Sequence, residues 1–292
     1  MVAEVSLAPA TSQPGIAMRL VLMVVRNPTI AIGALILGVL VILAAAAPWY
    51  AGDPLTMQPR VRFRPPSEAY AFGTDNLGRD IFARTMWGAR VSLLVGFLVA
   101  FFATSIGLLL GLLCGWYRWV DAVVMRVMDG IMAIPAILLA IALIALVQAS
   151  LLLVVVAILI PEIPRVVRLV RAIVLSVREQ PYVEAAIAGG TKTPKLLLRH
   201  VLPNTVGPLI VTATYICAAA ILTEAGLSFL GAGVPPELPS WGNLIASGRT
   251  FFQRAPWIIL IPGGFLALTV LAVNLLGDGL RDRLDPRVAR RL

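Results

Sequence analysis

An all-α, polytopic membrane fold is what this sequence predicts, with six spans and both termini in the cytoplasm, and three observations predict it. Of the 292 residues, 59% are hydrophobic and only 13% charged, outside the range of ordinary soluble domains. Six segments, residues 29–47, 91–115, 123–147, 151–172, 206–225 and 257–276, are apolar enough to cross a hydrocarbon core. The connectors on one side of these segments hold most of the basic residues, the bias expected of a cytoplasmic face. The chain then divides into an N-terminal tail (1–28), a membrane domain (29–280) and a C-terminal tail (281–292).

In chain order, residues 1–18 are rich in Ser, Thr, Pro and Gln and lack apolar periodicity. Residues 29–47 are uninterruptedly apolar or small, roughly 28 Å of helix. The alanines at 44–47 imitate a signal-peptidase site, but the stretch exceeds the ~7–15 residues of a signal core, so an uncleaved span is expected. The connector 48–90 is rich in Pro and Arg. Within it Thr74 or Asp75 is placed to cap a helix start, with Ile81, Phe82 and Trp87 giving the next turns an apolar side.

Gly96, Gly107, Gly111 and Gly115 punctuate the span 91–115, and the four-residue step from Gly107 to Gly111 allows close helix packing, although it is common by chance. The run 133–160 is too long for one span. A turn at Gln148-Ala149-Ser150 splits its surroundings into 123–147 and 151–172. Charge tests the split. With the N-terminus inside, Arg60, Arg62, Arg64, Arg79, Arg84, Arg90, Arg249 and Arg254 fall outside, and the other sixteen of the 24 Lys and Arg fall inside.

Pro161, Glu162 and Pro164 are expected to interrupt the fourth span. An intramembrane carboxylate either faces a cavity or partner, or pairs locally, here with Arg165 three residues on. Arg165, Arg168 and Arg171 step along one face and are expected to snorkel inward. Glu224, near the outer end of the fifth span, has two readings: a cap or inter-subunit contact, or a partner for a substrate amine. The six tryptophans, at 49, 87, 116, 119, 241 and 257, avoid segment centres, as interfacial anchors do.

Between the fourth and fifth spans lies a charged elbow, residues 178–204, containing PYVEAAIAGGTKTPKLLLRHVLPN. Pro181 suits a first helical turn, Gly189-Gly190 a left-handed stop, and Thr193-Pro194 an N-cap and first turn of a second helix that should falter at Pro203. Burying Glu184, Lys192, Lys195 and Arg199 at a bilayer centre would cost about 10 kcal/mol together, so the elbow belongs outside the hydrocarbon as a candidate docking surface.

Glu184-Ala185-Ala186, then Gly190 after three intervening residues, then Leu202-Pro203 resemble the EAA motif of bacterial ABC-importer permeases. The general pattern has isoleucine where this chain has His200, and RHVLPN is similar to the oligopeptide, dipeptide and nickel subgroup. Further stretches resemble the same subgroup: Phe72-Gly73-Thr74-Asp75, Leu77-Gly78-Arg79-Asp80, the segment from Gly88 to Leu93, Leu227-Ser228-Phe229-Leu230-Gly231, Pro239-Ser240-Trp241-Gly242-Asn243, the segment from Asn274 to Asp282, and Asp285-Pro286-Arg287.

The resemblance implies the second permease subunit of a peptide importer in the bacterial inner membrane. Its implied partners are membrane lipid, a homologous permease, two ABC ATPases and an extracytoplasmic substrate-binding protein, with ATP and Mg held by the ATPases. It further implies ATPase coupling through Pro181, Tyr182, Glu184, Ala185, Ala186, Gly190, His200, Leu202 and Pro203. Outer-face contact falls to Phe72, Gly73, Thr74, Asp75, Arg79, Asp80 and Trp241, and the translocation path to Glu162 and Glu224.

Other classes are weighed by what the chain lacks. The basic residues form no aromatic-interleaved patch, so the net charge of +9 does not point to nucleic acid. No Gly-Lys dipeptide occurs, hence no P-loop, and a single histidine with two cysteines, Cys114 and Cys217, supplies neither a disulfide framework nor a multi-ligand metal site. A non-catalytic subunit without a cofactor of its own is expected. The rival readings are a nickel permease and, from another class, a proton-coupled secondary transporter using Glu162 and Glu224 as carriers.

Overall fold

The computed structural model describes residues 27–147 and 150–284. Residues 1–26 and 285–292, which hold most of the two expected tails and the Asp285-Pro286-Arg287 motif, and the Gln148-Ala149 part of the expected turn lie outside the described residues. The described chain is helical, without a β-strand: α1 (Pro28–Tyr50), α2 (Ile81–Trp116), α3 (Arg118–Met132), α4 (Ala136–Ala145), α5 (Leu151–Arg178), α6 (Pro181–Ala188), α7 (Thr193–Leu196), α8 (Leu202–Phe229), α9 (Trp241–Gly248) and α10 (Trp257–Leu284). A wide π-helical turn, Leu197–Val201, joins α7 to α8.

Four helical stretches are long and apolar enough to cross a membrane: α1, α2, the continuous run Thr193–Phe229 and α10. A fifth is added if α3 and α4, bent by 86° at their junction, count as one crossing. Residues 123–147 therefore do not form the single helix that hydropathy suggests. Pro135 breaks it: its ring disfavours helical geometry at Ile134, and it stands in extended conformation (φ −54°, ψ 129°) ahead of α4.

Other expected boundaries also move. α2 starts at Ile81 rather than 91, because Asp80, not Thr74 or Asp75, is the cap: its Oδ1 accepts from the Phe82 N–H at 2.9 Å. Helix α5 runs unbroken through Pro161 and Pro164 to Arg178. At its start Ser150 caps it, the Leu153 N–H donating to Ser150 Oγ at 3.2 Å. Both α8 and α10 extend beyond the apolar segments that marked them.

Glycines set the packing around α2. Gly107, Gly111 and Gly115 lie against Val166, Val170 and Val174 of α5, and a Cβ on Gly111 would sit 2.6 Å from that of Val170. Both series advance together by four residues, so α2 and α5 run parallel, and α3 with α4 must return the chain between them. On another face Gly96 receives Ile221 of α8, whose direction is opposite, since Ser92 lies opposite Glu224. Gly277 of α10 meets Thr214, and Gly207 meets Leu284, so α10 is antiparallel to α8. Gly279 against Ile30 and Gly33 against Ala272 make α1 antiparallel to α10.

Two ends follow. One gathers the start of α1, the last turns of α2, α5 and α10, and the elbow of α6 and α7. The other gathers the connector between α1 and α2, the end of α8, and α9. Between them a core of small and β-branched residues, among them Val95, Val99, Ala103, Val154, Ala157 and Ile216, fills the space among α2, α5 and α8. Arg168 and Arg171 reach α3, where Arg168 Nη2 is 2.6 Å from Asp129 Oδ1, and Arg171 pairs through Nε and Nη2 with Asp121.

Candidate functional site

The elbow is built from its own punctuation. The Gln180 carbonyl accepts from the N–H groups of Val183 and Glu184, with Pro181 in the first turn, where its missing donor costs nothing. The far end of α6 closes by Gly189 N–H to Ala185 O at 2.9 Å and Thr191 N–H to Ala186 O at 3.0 Å. That closure puts Gly190 at φ +76°, with no neighbouring atom within 4 Å, so the need for glycine is one of backbone conformation alone. Lys192 rather than Thr193 occupies the cap position of the single-turn α7.

Pro203 does not end the second helix. The Leu202 N–H reaches back five residues to Leu197 O, and the wide turn absorbs the donor that Pro203 lacks. Asn204 then completes the turn from its side chain: Nδ2 donates to His200 O at 2.6 Å and lies 3.3 Å from the Tyr182 hydroxyl. The Tyr182 and His200 rings sit 6.1 Å apart, so α6 is seamed to the start of α8. Val183, Leu196 and Val201 anchor the elbow in the main core beside Val174 and Val177.

The opposite face is open. Pro181, Tyr182, Glu184, Ala185, Gly189, Gly190 and Pro203 are exposed, and Ala186, His200 and Leu202 half-buried. Ile187 is 48% exposed. The Glu184 carboxylate makes no hydrogen bond or ion pair among the described residues, which leaves it free to meet a donor from outside.

At the other end, Phe72 to Asp80 form a tight knot. Gly73 and Gly78 both take φ +75°, and a Cβ on Gly73 would lie 2.6 Å from Arg64 O. Thr74 holds the Arg64 N–H (2.9 Å) and donates to Val61 O, while its own carbonyl accepts from Trp257 Nε1 at 3.1 Å. Asp75 accepts from the N–H groups of Leu77 and Arg79 and from the guanidiniums of Arg79 (2.6 Å) and Arg84 (3.1 Å). Gly73, Thr74 and Asp75 are buried, and Phe72, Arg79 and Asp80 half-buried. Of the residues expected to meet a protein at this end, four are buried, Gly73, Thr74 and Asp75 because the loop spends their polar groups on its own conformation, and Trp241 by packing.

Trp241 is a further correction: it is fully buried rather than an interfacial anchor, its Nε1 donating to Thr85 O at 3.1 Å. It opens α9, a short helix tucked between α2 and α8, where Gly242 packs 2.7 Å (as a virtual Cβ) from Ala225 Cα. Beneath it Glu224 is fully buried. One carboxylate oxygen accepts from Ser228 and Ser240, each at 2.8 Å, and the other from Ser92 at 3.3 Å. The Trp241 N–H donates to the same Ser92 Oγ. In this conformation Glu224 therefore ties three segments together and is closed to a substrate amine.

Glu162 behaves otherwise. Arg165 Nη1 stands 3.1 Å from its Oε2, within ion-pair range but without hydrogen-bond alignment. The local pairing read from the sequence is what forms. The sequence assigns no role to Asn204, Arg84, Asn243 or the three serines, although Ser92, Ser228, Ser240, Asn243 and Asn204 stand within the stretches that resemble the family. Ser228, one turn after Glu224, was discoverable by spacing; Ser92 and Ser240 lie too far away in the chain.

The bundle and its apolar surfaces define a multi-pass, all-helical membrane protein. The chain belongs to the family described as "Binding-protein-dependent transport system inner membrane component", whose profile matches residues 107–290. Among relatives, the probable peptide ABC transporter permease protein y4tQ of Sinorhizobium fredii is 56% identical over 91% of this chain and 91% of its own. The dipeptide transport system permease protein DppC of Alkalihalophilus pseudofirmus is 42% identical (90% and 87% covered), and the oligopeptide transport system permease protein OppC of Bacillus subtilis 37% identical (90% and 87%). The inward-facing MetNI methionine ABC transporter superposes with a TM-score of 0.54 over 68% of this chain and 94% of that one. At 20% identity that likeness concerns the fold alone.

Proposed function

We propose that this chain is a permease subunit of an ATP-driven importer of di- and oligopeptides in a bacterial inner membrane, coupled to ATPase subunits through the 178–204 elbow. The observation that carries the proposal is the elbow itself: rigidly anchored by Val183, Leu196 and Val201, it presents an unpartnered Glu184 beside the small side chains of Ala185 and Ala186. A surface that is fixed from below and chemically unsatisfied above is suited to transmit force from a docked protein. The peptide substrate rests on the relatives, which are peptide, dipeptide and oligopeptide permeases by name, and the family description supports a binding protein as the donor of that substrate.

In this reading the chain crosses the membrane six times, with α3 and α4 as one broken crossing and α5 as another. The parallel course of α2 and α5 supports that count. The start of α1 and the end of α10 share the elbow's end, which is assigned to the cytoplasm. Exposed apolar side chains along the bundle, such as Leu35, Phe97 and Leu109, meet lipid or a homologous permease. ATP and Mg belong to two partner ATPases. Their closure pulls on the elbow and shifts the bundle between inward and outward access by rigid-body movement.

The test uses the assembled complex. Glu184→Lys places a like charge where a cationic or donor partner is expected, and Gly190→Pro cannot take φ +76°. Each should lower ATPase co-purification and peptide uptake about tenfold or more. Wild-type association together with wild-type uptake in both variants would sink the coupling assignment.

A further inference from the structure

The outer knot carries a charge imbalance. Two guanidiniums, Arg79 and Arg84, share the single carboxylate of Asp75, both bonding its Oδ2. The Arg84 side chain is only 3% exposed and that of Asp75 1%, so the cluster keeps a net positive charge away from water. A buried uncompensated charge is costly unless something pairs with it. No other carboxylate closes the account: Glu224 lies behind Ser228, Asp80 caps α2, and neither they nor the exposed Glu237 forms an ion pair with Arg79 or Arg84 among the described residues.

The same arginines line a cavity of about 280 Å³, walled by Ser228 of α8, Pro235 of the following connector, and Asn243 and Ala246 of α9. Arg84 Nε is buried and without a hydrogen-bond partner. An unused, desolvated guanidinium donor on a residue that lines a cavity is the chemistry of a carboxylate receptor, since guanidinium matches a carboxylate in geometry and charge, whereas the Ser228 hydroxyl and the Asn243 amide are already spent on Glu224 and on the connector's carbonyls. The walls are stiff: Asn243 Nδ2 bonds the carbonyls of Val234 (2.9 Å), Pro235 (3.2 Å) and Leu238 (3.1 Å), holding the connector against α9.

We propose that this cavity is a carboxylate-binding subsite at the end of the bundle opposite the elbow, with Arg84 and Arg79 as its cationic floor. Its volume admits a carboxylate and a short segment behind it but not an oligopeptide, so a longer ligand enters end-on. The carboxylate can come from the terminus of a small solute or from an acidic side chain of a protein docked at this end. The proposal goes beyond the coupling role of the elbow and stands independently of it.

The experiment measures the thermal midpoint of the full-length chain, purified in detergent with its co-purifying subunits, as sodium acetate replaces sodium chloride at constant ionic strength. A saturable rise is expected. Ala246→Asp, which supplies a carboxylate from the wall, should raise the midpoint without acetate and weaken the acetate response about tenfold or more, while its neutral isostere Ala246→Asn keeps that response. Arg84→Gln should abolish it. Should Arg84→Gln fail to fold, the Ala246 pair decides alone. Dialanine acting like acetate, with dialanine amide inert, identifies a terminal carboxylate; acetate acting alone identifies a side-chain carboxylate of a docked protein. No acetate response in the wild type, or an equal response in Ala246→Asp and Ala246→Asn, would overturn the proposal. A response seen only in Glu237→Gln would also overturn it, by making the chain's own Glu237 the occupant.

Discussion

At Glu224 a single buried carboxylate organises the end of the bundle opposite the elbow without a cation. Its three serine donors come from α2, α8 and the residue that caps α9, so the side chain reads as a rivet among helices rather than as a carrier. Truncation should be costly on two counts: it opens a cavity and strands three hydroxyls. Glu224→Ala is expected to lose about 2–4 kcal/mol, whereas Glu224→Gln, whose carbonyl can still accept from Ser228 and Ser240, should lose about 1 kcal/mol or less. Thermal midpoints of the purified variants check this, and equal damage from both would show that the negative charge itself is required. Asn204 is the counterpart in the elbow. Asn204→Leu removes the donor to His200 O and the link to Tyr182 and should cost about 1 kcal/mol, read as earlier melting or faster proteolysis between α6 and α8. Neither role could be seen in the chain alone. Glu224 was visible as an intramembrane acid, but Ser92 stands 132 residues away, and nothing local relates the two.

Helices were more legible than their joints. Apolar length marked α1, α2, α8 and α10, and the glycine-proline punctuation around Pro181 and Gly190 marked α6 and its stop. What hydropathy could not rank was the consequence of each proline. Pro135 breaks the chain by 86°, while Pro161 and Pro164 sit inside an unbroken α5. The difference lies in packing. Beyond Pro161 and Pro164, α5 continues through Val166, Val170 and Val174, which lock against the glycine row of α2 and hold the helix in line. The glycine row should therefore be unforgiving. Gly111→Val drives a branched side chain into Val170 and is expected to cost about 1–3 kcal/mol or more, whereas Gly38→Val on α1, where a Cβ meets nothing within 4 Å, should change the midpoint little. If the two variants melt alike, the row is not the seam that sets the parallel course of α2 and α5.

Over the whole molecule, charge and geometry support the proposed topology by separate routes. The distribution of Lys and Arg favours the proposed cytoplasmic side for the elbow, and it does so only if the chain turns once more near residue 148. Helix packing arrives at that turn independently: α2 and α5 are parallel, so α3 and α4 must carry the chain back from the elbow's end before Leu151 begins. Amphipathic α3, tied by Asp121 and Asp129 to Arg171 and Arg168, lies at the elbow's end, and apolar α4 completes the return. Two places on the chain distinguish this arrangement from one without the broken crossing. Leu146 is 80% exposed and stands at the far end of α4, and Pro194 is exposed in the elbow. In intact cells, with the outer membrane made permeable, a membrane-impermeant thiol reagent should label Leu146→Cys from outside and Pro194→Cys only after lysis. The native Cys114 is buried and Cys217 half-buried, so a cysteine-free background serves as the baseline. Labelling of both positions from the same side would remove the crossing by α5, which lies between them, and with it the six-span topology. Labelling from opposite sides but with the elbow outside would remove the α3–α4 crossing or invert the whole bundle, and would place the exposed Glu184 beyond the reach of any cytoplasmic ATPase.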